Sequence, residues 1–221
     1  MDAREVFNQA AATYDAEMAT RATQAVRLRV EQMVARHAPG TGAVLDFGCG
    51  TGGDTVRLAE RGHRVLAYDV SEGMLERLRE RCATPIAQGR VVAVAGEMDD
   101  LYRALAAFGS VRTVLANFAV LNLLPDLSAF RELVTTRLPA VQAVILGVQN
   151  PFYLPDLRAG WWWRGMWKGR KVGEIVCDAS RLTTRRYYTG TLVAALAPAF
   201  RLQETHGAWA PMRLLAFVRT A

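Results

Sequence analysis

No apolar run in this chain approaches the roughly 20 residues that a membrane-spanning helix needs. The opening Met1-Asp2-Ala3-Arg4-Glu5 lacks the basic start and apolar core of a secretory signal. Cysteine is scarce: Cys49, Cys82 and Cys177 are odd in number and widely spaced, which excludes a disulfide framework. Histidine is limited to His37, His63 and His206, and no Cys/His grouping has zinc-like spacing, so no metal site is expected. Reduced thiols fit a cytoplasmic protein. Repeats, low-complexity tracts and flexible linkers are also missing, and 221 residues suffice for one well-buried domain rather than two.

The composition that remains, 51% hydrophobic and 22% charged, is that of an ordinary globular protein. Its net charge of +6 conceals an asymmetry: residues 1–100 carry 12 basic and 15 acidic side chains, residues 101–221 carry 15 and 6. The second half, at +9, suits an anionic partner, whether small acid, nucleic acid or membrane surface, or is only a solvated basic face.

Residues 2–19 show helical period in Val6, Phe7, Ala10, Ala11, Tyr14 and Met18, with Asp2 and Glu5 as a candidate capping box. A second helix is expected from about Thr20 to Ala38, with Val26, Val30, Met33, Val34 and His37 on one face, stopped by Pro39-Gly40. Strands at 43–47, 64–69, 90–95, 111–117 and 141–149 then alternate with helices at 53–62, 71–83, 99–107 and 126–138. That rhythm implies a parallel sheet with helices on both faces. Residues 150–171 break it with aromatic and basic side chains punctuated by Pro151, Pro155, Gly160, Gly165 and Gly169. A hairpin over 172–188 turning near Asp178-Ala179-Ser180, a helix near 190–197 and strands near 200–206 and 212–219 complete the pattern.

Within it, Val44-Leu45-Asp46-Phe47-Gly48-Cys49-Gly50-Thr51-Gly52-Gly53 carries the most information. Alternate glycines after a buried strand let the backbone turn sharply and lie directly against a ligand. The spacing Gly48-x-Gly50-x-x-Gly53, with Asp69 downstream, also satisfies the dinucleotide fingerprint. Three features point elsewhere. Asp46 precedes the first glycine, where a carboxylate suits a cationic amino-acid ligand. About forty residues of helix precede the first strand. A closing strand pair follows the fifth strand.

Together these motifs resemble the class I S-adenosylmethionine-dependent methyltransferases of small-molecule type. Val44 to Gly52 looks like that family's first motif, Tyr68-Asp69-Val70-Ser71-Glu72-Gly73-Met74-Leu75 its second and Gly96-Glu97-Met98-Asp99-Asp100-Leu101 its third. Phe7…Tyr14-Asp15 is similar to an N-terminal helix signature of its small-molecule members. The resemblance implies that Gly48, Cys49, Gly50 and Gly52 approach the methionine and ribose of the cofactor, that Asp46 lies near its ammonium, and that Asp69 accepts from both ribose hydroxyls. It implies that Val70 and Met74 pack on the adenine, Glu97 accepts from the adenine amine with the Met98 backbone at the ring edge, and Tyr14 closes from above. Asn117 ends the fourth strand, and because ligands sit at the carboxyl ends of strands in open α/β sheets it is expected to face the pocket. Many relatives have Asp where Glu97 stands.

Methyl transfer from a sulfonium is an in-line displacement, so alignment and water exclusion matter more than a universal catalytic side chain. His206 and Tyr188 are the candidate bases. Asn122, Tyr153, Trp162, Arg164, Arg186 and Tyr187 are candidates for holding the acceptor, while His37 and His63 read as surface or structural residues. Asn150-Pro151-Phe152-Tyr153 resembles an amine-binding Asn-Pro-Pro-Tyr box but follows the wrong strand, which disfavours a DNA-adenine enzyme. Residues 160–171 hold four Trp, four cations and both lysines. They read as a substrate lid, a membrane-surface patch, an RNA-stacking surface or a loop packed on the domain.

The expected architecture is therefore α/β: a Rossmann-like, doubly wound, seven-stranded, mostly parallel sheet with an antiparallel closing strand, arranged as one domain. Residues 1–40 form a helical cap, 41–149 the cofactor-binding core, 150–188 a lid insertion after the fifth strand and 189–221 the closing helix and strands. The cofactor is S-adenosylmethionine, and the acceptor is a small aromatic or amphipathic molecule, anionic in one reading, methylated on O, N or C. Lipid, quinone or RNA acceptors, a dinucleotide-dependent oxidoreductase and a non-catalytic cofactor-binding module are the alternatives. Nucleic acid is disfavoured as a partner, peripheral membrane contact stays open, and the oligomeric state is unspecified.

Overall fold

The structure is a computed structural model that describes residues 2–38, 40–177 and 182–220. Seven strands form one sheet in the order β3-β2-β1-β4-β5-β9-β8, where β1 is Val44–Phe47, β2 Val65–Asp69, β3 Val91–Ala95, β4 Thr113–Ala116, β5 Ala143–Gln149, β8 Phe200–His206 and β9 Met212–Arg219. Two further strands, β6 (Glu174–Cys177) and β7 (Thr184–Tyr187), pair only with each other. The expected seven-stranded sheet with an antiparallel closing strand is thus present. By contacts the chain forms two compact units, residues 2–115 with 140–143, and residues 116–139 with 144–221.

In the first unit β1 pairs in parallel with β2 and with β4, and β2 with β3. Every residue of β1, β2 and β4 is buried, as expected of strands covered on both faces. The helices are α1 (Ala3–Glu17), α2 (Arg21–His37), α3 (Gly53–Glu60), α4 (Glu72–Arg81), α5 (Ala83–Ala87) and α6 (Met98–Phe108). Asp2, Thr20 and Ser71 cap α1, α2 and α4 by accepting from backbone N–H groups. The buried face of α2 is Thr23, Arg27, Val30, Glu31, Met33 and Val34. Val26 and His37 lie at its margin, and Pro39 falls outside the described residues.

The second unit holds α7 (Ser128–Glu132), continued by a π turn over Leu133–Arg137, then β5, a 3₁₀ turn over Leu154–Arg158, α8 (Gly160–Gly169), the β6–β7 hairpin, α9 (Thr189–Leu196) and the antiparallel β8–β9 pair. Burial alternates along β8, with Arg201, Gln203 and Thr205 outward, because an edge strand buries only one face. The turn at Asp178-Ala179-Ser180 lies outside the described residues. The 150–171 region, read as punctuated chain, contains a helix. Gly165 and Gly169 lie against the backbone of β6, where an added Cβ would stand 2.1 Å from the Val176 carbonyl oxygen and 2.2 Å from that of Glu174. These glycines permit a close helix–strand contact whose packing offsets their low helix propensity.

Candidate functional site

The first unit gathers the residues expected to meet the cofactor at the ends of β1 and β2. Gly48, Gly50 and Gly52 all have positive φ, so the chain leaving β1 coils tightly back before α3 begins. The Gly48 and Cys49 N–H groups both donate to the Tyr68 carbonyl, tying the loop to β2. Gly52 has φ +79°, and a Cβ there would stand 2.7 Å from Leu78 Cγ. Gly52→Ala is therefore expected to destabilise the protein by about 2–3 kcal/mol, read by chemical denaturation; an unchanged midpoint would contradict this.

Asp69 ends β2, buried to 9% exposure. Its Oδ2 accepts from Gly50 N at 2.9 Å and its Oδ1 from Ser71 N at 2.9 Å. Burial raises its pKa, and the hydrogen bonds from Ser71, Gly50 and Val70 oppose that rise. Beside these bonds the carboxylate keeps acceptor capacity, which suits a ribose hydroxyl. Asp46 lies beneath the loop, 2% exposed, and accepts from the Thr55 hydroxyl at 2.6 Å. Burial first, and the Asp54 carboxylate next, push its pKa up to about 7, against the Thr55 hydrogen bond and the Arg27 guanidinium. A cationic ligand above the loop would favour its ionised form through the low-dielectric interior.

The N-terminal helix is fastened over this loop. Asp15 accepts from the Thr51 hydroxyl at 2.6 Å and from Arg81 at 2.7 Å, while Arg81 also donates to the Thr51 carbonyl at 2.9 Å. Asn8 accepts from the Ser71 hydroxyl at 2.7 Å and Gly73 N at 3.0 Å. Tyr14 lies above Gly50, where an added Cβ would be 3.8 Å from its ring, and burial raises its phenol pKa. Arg27 pairs with Asp54 at 2.9 Å and fills the space a side chain at Gly53 would take. Arg27, Thr51, Thr55 and Arg81 were not among the sequence-derived candidates. An arginine on the buried face of α2 is the one signal that could have found Arg27.

Val70 and Met98 are half-buried near the same strand ends, and the Cys49 thiol is pushed well up by burial. Glu97 is exposed, caps α6 reciprocally with Asp100 and pairs with Arg4. Met74 requires a correction. It is 1% exposed beside the buried Leu75 and Leu78, so it offers an adenine no surface and belongs to the core. Unlike Asp46, an apolar side chain cannot act without contact.

In the second unit Asn117 is buried, and its Oδ1 accepts from Phe118 N. Phe118 and Ala119 follow with positive φ, a strained turn for non-glycine residues. Asn122 requires a correction: fully buried, its amide donates to Arg185 O at 2.6 Å and accepts from Gln149 N at 3.0 Å, so it braces the scaffold. Trp162, 4% exposed, donates from Nε1 to Pro151 O at 2.7 Å and is a core residue. Tyr187, 2% exposed, donates to Leu124 O at 3.3 Å, and burial pushes its pKa up to about 12. Neither side chain is available to an acceptor. Asn150 donates to the Ala208 and Ala210 carbonyls at 2.9 Å each, and its Oδ1, the atom an amine box would need, accepts from Phe152 N at 3.0 Å.

Tyr153 is half-buried before the 154–158 turn, and Arg164 is exposed on α8. Tyr188 stacks with Phe152 at 5.1 Å, and His206 Nε2 hydrogen-bonds Glu204. Arg186 is paired with Asp156, donates to Asn150 O at 3.2 Å and lies 4.8 Å from the Trp161 ring centroid. Its Nε is buried and has no hydrogen-bond partner among the described residues. Among the described residues, no group of Cys, His, Asp and Glu could hold a metal ion, and no helix is long and apolar enough to cross a membrane.

Residues 44–137 match the family model described as a methyltransferase domain. That segment contains the glycine loop, Asp46, Asp69, Glu97 and Asn117. No curated protein matches the chain. Among solved structures, 1,6-didemethyltoxoflavin-N1-methyltransferase of Burkholderia thailandensis, with 1,6-didemethyltoxoflavin and S-adenosylhomocysteine bound, is 18% identical, covers 100% of this chain and 92% of its own, and has a TM-score of 0.65. Magnesium protoporphyrin IX methyltransferase of Synechocystis is 21% identical, with coverages of 89% and 83% and a TM-score of 0.60. An S-adenosylmethionine-dependent methyltransferase of Mesorhizobium loti is 18% identical, with coverages of 87% and 96% and a TM-score of 0.63.

Proposed function

We propose that the chain is a class I S-adenosylmethionine-dependent methyltransferase that methylates a small, flat, aromatic or amphipathic molecule bearing an acidic or strongly polar group, a reading supported by the match of residues 44–137 to a methyltransferase-domain model. The observation that carries the acceptor class is Arg186, whose buried Nε–H has no acceptor among the described residues while its guanidinium faces the Trp161 ring. A buried unpaired donor costs about 1–3 kcal/mol, more for a charged group, and an acceptor's anionic oxygen would remove that cost. The neighbouring indole supplies an apolar surface for a ring. The bound toxoflavin precursor and the porphyrin substrate named for the neighbours are flat ring systems of this kind.

The cofactor supplies an electrophilic methyl group. Asp69 orients it through the acceptor capacity left beside its backbone bonds, the glycine loop and Tyr14 enclose it, and the ionised form of Asp46 favours its ammonium. Glu97 remains the proposed adenine partner, where it would exchange or share its contact with Arg4. Proton removal from the acceptor, where needed, falls to His206 or Tyr188 in this reading, His206 being oriented by Glu204. We place the protein in a reducing compartment such as the cytoplasm, in keeping with three free thiols.

Incubating an extract of the source cells with deuterated S-adenosylmethionine should yield small-molecule products shifted by the mass of the labelled methyl. With that acceptor in hand, Arg186→Gln should raise KM about tenfold with little change in kcat. Labelled RNA or lipid as the sole product would overturn the small-molecule reading. Affinity for the cofactor should also depend on pH. Because the Asp46 pKa is raised to about 7, a cation binds its ionised form, so affinity should rise about tenfold or more between about pH 5.5 and 7.5. Asp46→Asn should flatten that slope in calorimetric titrations; a wild-type slope in the variant would contradict the assignment.

A further inference from the structure

Helix α8 buries Trp162, Gly165 and Gly169 on one side. At 100° per residue the opposite face runs Trp163, Trp167, Gly160, Arg164, Lys168, so aromatics and cations share one exposed stripe. Trp163 is 57% exposed, Trp167 68% and the nearby Val172 61%. The turn at 154–158 is joined to the stripe by the Trp163 Nε1 bond to Leu157 O at 3.0 Å, and it adds Leu154 at 56% exposure. Large apolar groups left this open on a soluble surface mark an interaction site rather than a core.

Charge narrows the partner. Residues 150–173 hold five cations, and their single acid, Asp156, is paired with Arg186. A second copy of the chain would set this cationic stripe against another. For stacked bases the geometry is poor. One face of Trp167 is covered by the Arg170 guanidinium 4.3 Å from its centroid, and Trp163 stands edge-on to Trp162 at 81°. Val172 and Leu154 offer nothing on which a base could stack. Indoles, aliphatic side chains and flanking cations together match the boundary between anionic headgroups and acyl chains. We propose that the exposed face of α8, with Leu154 and Val172 beside it, docks the protein peripherally on an anionic bilayer. The surface lies within one compact unit and needs neither cofactor nor acceptor, so its failure would leave the methyl-transfer reading untouched.

Co-sedimentation of the full chain with vesicles tests this. Phosphatidylcholine vesicles containing phosphatidylglycerol should bind the protein, pure phosphatidylcholine far less, and molar salt should release it. Trp163→Ala with Trp167→Ala should abolish sedimentation while S-adenosylmethionine affinity stays at the wild-type value, and Trp167→Ala alone, at the more exposed position, should weaken sedimentation with the thermal midpoint unchanged. Lys168→Ala with Lys171→Ala should weaken partitioning about thirtyfold. Absence of binding to the anionic vesicles, or equal binding by the tryptophan variant, would overturn the proposal. So would an RNA complex or a dimer in ultracentrifugation that only the tryptophan variant loses.

Discussion

Asp69→Asn should lower the affinity for S-adenosylmethionine by about a hundredfold or more in calorimetric titration, because charge-assisted hydrogen bonds contribute about 1.5–3 kcal/mol each. The isosteric change is severe for a local reason. Both carboxylate oxygens accept backbone N–H groups, from Gly50 and from Ser71. An amide must turn its NH₂ toward one of those donors, so the variant loses a loop anchor as well as a ligand contact. A small loss of stability is expected beside the large loss of binding. If the cofactor bound Asp69→Asn as tightly as wild type, Asp69 would not be the ribose acceptor, whatever the change in stability.

Trp162→Ala should cost about 3–5 kcal/mol in chemical denaturation, the range for truncating a fully buried aromatic. The indole is 4% exposed, meets Trp163 at 4.8 Å between centroids and donates to Pro151 O, so its removal opens a cavity and leaves that carbonyl unsatisfied. Trp162→Phe keeps most of the volume and should cost about 1–2 kcal/mol, chiefly the hydrogen bond. Cofactor affinity of the folded Phe variant should match wild type. A nearly neutral Trp162→Ala with a raised acceptor KM would restore the side chain to the acceptor site.

These two residues mark how far the sequence could be read. The place of Asp69 at the end of the second strand was legible because its signal is local: a carboxylate at the end of an apolar run, with Ser71 and a helix after it and a glycine loop 16 residues before it. Trp162 was not. Its neighbours Trp161 and Trp163 have the same composition, and only the course of α8 decides which indole turns inward. Asn122 is similar: an asparagine after the fourth strand looks available until Arg185 and Gln149, distant in sequence, take both ends of its amide.

The sequence by itself determined the alternation of strands and helices, the glycine loop and the acids at successive strand ends. All of these follow from side-chain periodicity and backbone freedom within a few residues. Tertiary structure alone decided that Gly165 and Gly169 sit inside a helix, because the close approach to β6 that offsets their cost is a contact between elements. It also decided that Arg27 reaches the loop through Gly53, and that Trp163 and Trp167 stay outside while Trp162 goes in. Burial and hydrogen-bond partners are properties of the assembled fold, and no local pattern specifies them.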